Sequence, residues 1–333
     1  MAPLTPLPPL PTLPQTPALI ALDWGTSSLR AYAMASTGAV LASRRSDHGI
    51  MNLPPGEPGE SGTPARFEHA LQNLCGDWLA ANHPTPLLAC GMVGSAQGWA
   101  PADYLALPSS SASLARSLTV VSRAHGQPLH IVPGLVQPGD LPNVMRGEET
   151  QIAGVLQSLA ASGAAPARML VGLPGTHSKW AVVESGTVTR FETFMTGEIY
   201  AALRHHSILG RTMVDTGVFD EAAFTQGLRV ARTPEGALGV LSNVFSSRTL
   251  GLTGRLPGEA QADYLSGLLI GHEVAALAQV LLDGGLPVVL CGEPALCRRY
   301  AAALEVHGQD SPQICTDATP LGLWRLAQAA ALV

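Results

Sequence analysis

Charged residues make up only 13 % of this 333-residue chain, and no run of like charges occurs in it. The net charge is −6. A chain so composed lacks the basic face that nucleic acid or an anionic membrane surface requires. Any anionic ligand must therefore be met by local groups rather than by the global field. None of the five cysteines (Cys75, Cys90, Cys291, Cys297, Cys315) forms a C-x-x-C pair. With an odd count and no His/Cys cluster at zinc spacing, a disulfide framework and a zinc site are both disfavoured, and buried thiols in a reducing compartment are expected. No apolar run reaches membrane-spanning length without a glycine or polar residue. The opening MAPLTPLPPLPTLPQTP has no lysine or arginine and is broken by seven prolines. It is not a signal peptide, and its composition favours an unstructured extension over residues 1–17. These absences leave a cytoplasmic protein as the expectation.

What is present is apolar mass. The hydrophobic fraction is 46 %, enough for a large core, and the length favours two domains. From Ala18 onward ALIALDW, SLRAYAMA and AVLASRRSD read as a three-stranded antiparallel meander. A helix with Phe67, Leu71, Leu74 and Trp78 at helical spacing follows, then the buried strand LLACGMVG. GEETQIAGVLQSLAAS reads as a helix with acidic residues in its first turn, where the helix dipole favours them. RMLVGL, KWAVVE and TVTRFETF repeat the meander, and the remainder is mostly helical.

The two meanders share a device. At an offset of 150 residues Gly25 matches Gly175, Thr26 matches Thr176 and Ser28 matches Ser178. Each turn follows a buried strand and carries Gly, Thr and Ser. Glycine permits close approach, successive N–H groups can aim at one point, and hydroxyls add donors, so each turn reads as an anion cradle. Two cradles suit a polyphosphate. Asp23 precedes the first turn, where a carboxylate would repel phosphate unless a cation intervened. It reads as a Mg²⁺ partner, with turn capping as the alternative. Glu148 and Glu149 open the helix ahead of the second turn. Phosphoryl transfer needs positioning, charge neutralisation and a base for the attacking hydroxyl, and either glutamate suits that base or is a capping charge. GMVGSAQGW, with Gly91, Met92, Val93, Gly94 and Ser95, reads as a substrate loop. It lacks the glycine spacing of a nucleophile elbow around Ser95. CGEPALCRRY is a strand–glycine–helix unit in which Gly292 would let a flat base lie against backbone.

In ALDWGTSSLRA, GMVGSAQGW, IVPGL, NVMRGEETQIAG, LPGTHSKW, FMTGE and LSGLLIG, the chain resembles the 2-dehydro-3-deoxygalactonokinase family, within the sugar-kinase, heat-shock-chaperone and actin superfamily. The resemblance implies an α/β fold of two ribonuclease H-like domains, each with a mixed five-stranded sheet and flanking helices, and an ATP cleft between them. The expected N-terminal domain spans 18–140, with the first phosphate turn and substrate loop. The expected C-terminal domain spans 141–333, with the catalytic helix start, second turn and adenosine segment, and with its last helix free to pack back on the first domain. The implied activity is transfer of the ATP γ-phosphoryl group, with Mg²⁺, to the 6-hydroxyl of 2-dehydro-3-deoxy-D-galactonate. By similarity to a Gly-Asp-Gln segment of related kinases, Glu148 is the first choice for the base and Glu149 the second. The change from aspartate lengthens the arm by one methylene. Gly25, Thr26, Ser27 and Ser28 would cradle the β-phosphate side, and Gly175, Thr176 and His177 the γ-phosphate. Lys179 or Arg146 would neutralise phosphate or the substrate carboxylate, unless Lys179 faces outward on its strand. Arg30 would lie near the substrate. Partners would be ATP and an acid sugar, with no nucleic acid and no membrane, and a homodimer is left open. The competing readings are a kinase for the epimeric 2-dehydro-3-deoxygluconate and a non-kinase ATP-binding switch.

Overall fold

The computed structural model describes residues 15–55, 63–79, 84–123, 126–163, 165–280 and 285–333. The proline-rich tail expected over residues 1–17 lies, up to residue 14, outside them. The chain divides into two units. One runs to Leu105 and adds Ser111–Gly134 and Thr319–Val333; the other comprises Ala106–Ser110 and Leu135–Ala318.

The first unit is built on the expected meander. Strand Leu19–Trp24 pairs antiparallel with Leu29–Met34, and this with Val40–Ser46. The turn between the last two strands contains Gly38 at φ 85°, a conformation that costs a residue with a Cβ about 1–2 kcal/mol. Strand Leu87–Gly91 adds parallel to the first, Leu129–Ile131 parallel to that, and Thr119–Val121 antiparallel at the edge. Alternation sends Ile20, Leu22 and Trp24 to a face covered by the helix Thr63–Leu79, with Phe67, Leu71 and Leu74 in the same core. Trp24 meets Phe67 and Trp99 edge-on, at centroid distances of 5.2 and 5.9 Å. The helix Ala318–Ala329 closes this unit: Trp324 packs so tightly on Gly38 that a Cβ there would lie 2.6 Å from the indole nitrogen.

The second unit repeats the plan. Strands Arg168–Leu173, Ser178–Glu184 and Thr187–Phe194 form a meander, with a register shift at Val182/Val183. Val288–Cys291 pairs parallel to the first of these and Gln313–Cys315 parallel to that. Ser109–Ser110 adds to the outer edge of Thr187–Phe194. Long helices cover the sheet. Glu221–Arg229 and Gln261–Val280 cross with glycine on both sides, since a Cβ at Gly227 or Gly267 would come within 2.1 or 2.0 Å of a carbonyl oxygen across the crossing.

The fold is the expected α/β pair of ribonuclease H-like sheets, meander first and two parallel strands after. The strand count differs. Each main sheet has six strands rather than five, the additions being the edge strands Thr119–Val121 and Ser109–Ser110. These are three and two residues long, too short for periodicity to assign their pairing. All five cysteines are free and buried. No described helix is long and apolar enough to cross a membrane.

Candidate active site

In the first unit the site residues gather where the parallel strands end. The first turn is closed by Gly25 N–H donating to the Ser28 carbonyl at 2.9 Å. The Gly25 and Thr26 carbonyls accept from Ile50 and Met51 N–H, both at 3.1 Å. Gly49 lies against the turn so closely that a Cβ would sit 2.4 Å from the Thr26 carbonyl oxygen. Thr26 and Ser27 are left exposed at the tip, while the Gly25 and Thr26 carbonyls are tied back. Asp23 is opposite Arg30 on one side and Cys90 on the other. Its carboxylate lies 3.6 Å from Arg30 Nη1. Burial raises the Asp23 pKa above the usual carboxylate range, against the opposing pull of Arg30.

Gly91 is opposite Trp24, has φ 90°, and a Cβ on it would be 2.8 Å from the Trp24 carbonyl oxygen. Only glycine lets the chain turn there, beside the Gly25–Ser28 turn. Met92–Gly94 form a short 3-10 turn, and Ser95 N–H donates to the Met92 carbonyl at 3.0 Å. The side chains of this loop diverge. Val93 is in the core with Trp24 and Phe67, so its side chain is closed to any ligand. The Ser95 hydroxyl is buried and has no hydrogen-bond partner among the described residues.

In the second unit the turn Gly175–His177 is backed by the helix Thr196–His206. Glu198 N–H donates to the Thr176 carbonyl at 3.0 Å, and a Cβ on Gly197 would be 2.5 Å from the Gly175 carbonyl oxygen. The Glu198 carboxylate is in close contact with His177 Nε2. Gly292 passes the same turn, where a Cβ would lie 3.2 Å from the Pro174 carbonyl oxygen. The neighbouring Glu293 caps the helix Pro294–Val306, accepting from Ala295 and Leu296 N–H at 2.9 and 2.7 Å. Those donors pull its pKa down.

Lys179 does not face outward. It is 4 % exposed, with Nζ 3.4 Å from the His177 carbonyl and 3.6 Å from Glu148 Oε1. Burying the ammonium without a carboxylate partner would be costly, which accounts for the pairing. The two glutamates at the start of Glu148–Ser162 part ways. Glu148 is half-buried, faces Lys179, and accepts from Arg146 N–H at 3.0 Å through its other oxygen. Glu149 is buried and accepts from Gly147 N–H at 2.6 Å and from the Thr150 hydroxyl at 3.0 Å. Its pKa is pushed up to about 7, by burial first and then by the Glu148 charge. Arg146 is half-buried at the same helix start.

A model of the family described as 2-keto-3-deoxy-galactonokinase matches residues 23–326 of this chain. The chain belongs to the 2-keto-3-deoxy-galactonokinase family. The 2-dehydro-3-deoxygalactonokinase of Escherichia coli (strain K12) is 35 % identical over 315 residues, covering 94 % of this chain and 98 % of the relative. A protein of Rhizobium meliloti (strain 1021), given the same name provisionally, is 38 % identical, covering 93 % and 96 %. The crystal structure of a Sinorhizobium meliloti protein proposed to be a 2-dehydro-3-deoxygalactonokinase superposes with a TM-score of 0.79 at 33 % identity, covering 93 % of this chain and 98 % of that one. The chain is thus a carbohydrate kinase by family.

The span matched by the 2-keto-3-deoxy-galactonokinase model begins at Asp23 and takes in both turns, the Gly91–Ser95 loop and the Glu148 helix start. Sequence reasoning assigned no role to Glu198, although FMTGE is one of the quoted segments. It also passed over Glu273. The available signal was a lone glutamate in the otherwise apolar stretch LLIGHEVAALAQV.

Proposed function

We propose that this chain transfers the γ-phosphoryl group of ATP to the 6-hydroxyl of 2-dehydro-3-deoxy-D-galactonate, in galactonate breakdown, with Glu148 as general base. The observation that carries this reading is the position of Lys179: its ammonium stands between the carbonyl of His177, in the second phosphate turn, and the Glu148 carboxylate. Phosphate cradle and base are thereby held to one cation. Glu148 takes the proton of the 6-hydroxyl as that oxygen bonds to phosphorus. The bond to the β-phosphate oxygen breaks, releasing ADP. A positioned base contributes roughly 10²–10⁴-fold. Glu149, spent on Gly147 and Thr150, holds the helix start.

The first turn supplies N–H and hydroxyl donors to phosphate, and Arg30, half-exposed, is the substrate-side cation. Mg²⁺ bound with ATP would neutralise phosphate charge. Asp23 is the residue to hold it. Its partly buried carboxyl resists ionisation, and a divalent cation is the kind of neighbour that would favour the charged form. The described residues hold no cluster of three metal-ligating side chains, which suits an ion that keeps much of its water and takes phosphate oxygens.

The test is ADP release with Mg-ATP on 2-dehydro-3-deoxygalactonate, on its gluconate epimer, and without acceptor, for wild type and Glu148→Gln. Turnover on the galactonate acid alone, lost in the variant, is expected. Turnover on the epimer assigns the neighbouring substrate. Equal slow release in all three would overturn the kinase reading in favour of a nucleotide switch.

A further inference from the structure

Beneath the second turn lies a buried acid that the proposed chemistry does not use. Glu273, on Gln261–Val280, is 3 % exposed. Its Oε1 accepts from Trp180 Nε1 at 2.7 Å, and its Oε2 is 2.7 Å from the Tyr300 hydroxyl. The Tyr300 hydroxyl is also 2.8 Å from the Ser178 hydroxyl. The Thr196 hydroxyl bonds to the same carboxyl. Among the described residues no cation takes part in this network.

The partners are not scattered. Ser178 is the first residue after the Gly175–His177 turn. Thr196 opens the helix whose Gly197 and Glu198 press on that turn. Tyr300 is on the helix that follows Gly292, which itself passes the Pro174 carbonyl. One carboxyl thus ties together the three segments that surround the turn. A hydrophobic residue of the same volume would fill the space and fix none of them.

We infer that Glu273 is a positioning residue for nucleotide binding: through Tyr300, Ser178 and Thr196 it sets the geometry of the second phosphate turn against the Gly292 segment. This rests on the kinase reading above. Burial raises the pKa of Glu273, and that of Tyr300 well above its usual value, so Tyr300 keeps the hydroxyl proton that it donates to Glu273 Oε2. Glutamine keeps the acceptor for Trp180, and its amide can donate to the Tyr300 hydroxyl, which is then free to donate to Ser178. Leucine reproduces only the bulk.

The experiment is calorimetric ADP binding with Mg²⁺, together with KM for ATP and for the acid acceptor, on wild type, Glu273→Gln, Glu273→Leu and Tyr300→Phe, well below each melting temperature. The Gln variant is expected to match wild type within about twofold. The Leu and Phe variants are expected to weaken ADP and raise KM for ATP about tenfold, roughly the loss of one or two positioned hydrogen bonds. Their KM for the acceptor should stay unchanged. Leu and Phe variants that melt lower yet bind ADP as wild type does would overturn the inference, as would a Gln variant as impaired as the Leu one. Where the Leu variant fails to fold, Tyr300→Phe decides, since it removes only the hydroxyl. Wild-type protein that binds no ADP would sink the kinase reading instead.

Discussion

The substitution Glu149→Gln separates the two glutamates at the helix start by stability as well as by rate. In the folded chain burial pushes the Glu149 carboxyl up to a pKa of about 7, against an ordinary 4.5. Below pH 4.5 both states are protonated and the group has no effect on folding. Between 4.5 and 7 the unfolded chain gives up its proton while the folded one keeps it, so stability falls as pH rises. Above 7 the loss is complete. The gap corresponds to about 3 kcal/mol. Glutamine cannot ionise, yet its oxygen still accepts from Gly147 N–H and its amide can donate to the Thr150 hydroxyl. Urea unfolding of both proteins at pH 5 and pH 8 is the assay. Asp23 and Glu273, also with raised pKa values, affect both proteins alike and cancel in the difference. The Gln variant should gain on wild type by about 2.5 kcal/mol between the two pH values, part of the loss being already present at pH 5, with kcat retained. Glu148→Gln should lose roughly 10²–10⁴-fold in kcat. A wild-type-to-variant gap that stays constant between pH 5 and 8 would refute the buried-acid argument. Equal loss of activity in the two variants would refute the division of roles.

Two further outcomes follow from the site geometry. Gly91→Ala should lower the melting temperature and impair turnover, because φ 90° and a carbonyl 2.8 Å from the new Cβ force the chain to shift beside the first turn; the strained backbone alone costs about 1–3 kcal/mol, and thermal melting with steady-state kinetics measures both. Lys179→Met should abolish most activity while keeping the fold, since methionine fills the same space but leaves Glu148 Oε1 and the His177 carbonyl without their cation; circular dichroism beside the ADP-release assay distinguishes this from unfolding.

Much of the fold was legible because the meanders announce themselves twice. Leu19–Trp24 and Ser178–Glu184 are buried on both faces, as their nearly unbroken apolar runs suggest, and Gly38 and Gly186, at φ 85° and 78°, mark the hairpin turns. The two Gly-Thr turns were legible as turns for the same reason: backbone geometry at Gly25 and Gly175 is local. What escaped was tertiary. Nothing in GMVGS says that Val93 points into the core while Ser95 stays polar and buried. Ser109–Ser110 is a strand only because Thr187–Val188 offers an edge. The division between Glu148 and Glu149 depends on Lys179, which reaches the helix start across the fold of its unit. One compositional clue stood unread: Lys179 is the single lysine of the chain, every other basic side chain apart from histidine being arginine. Arginine's planar fork suits bidentate contacts, whereas a compact ammonium suits a point between a carbonyl and a carboxylate.

The packing of Trp324 on Gly38 has a consequence for the order of assembly. The final helix belongs to the same unit as the first strands, with Leu323, Leu326 and Ala327 fully buried. A ribosome making this protein releases this meander early, yet the meander receives the covering layer of residues 319–333 only after the whole second unit has been made. The second unit, whose residues all precede Thr319, can finish its own core sooner. The unit begun earlier is therefore completed after the other, and the nascent chain must keep an apolar face of that sheet from misassociating until residues 319–333 arrive.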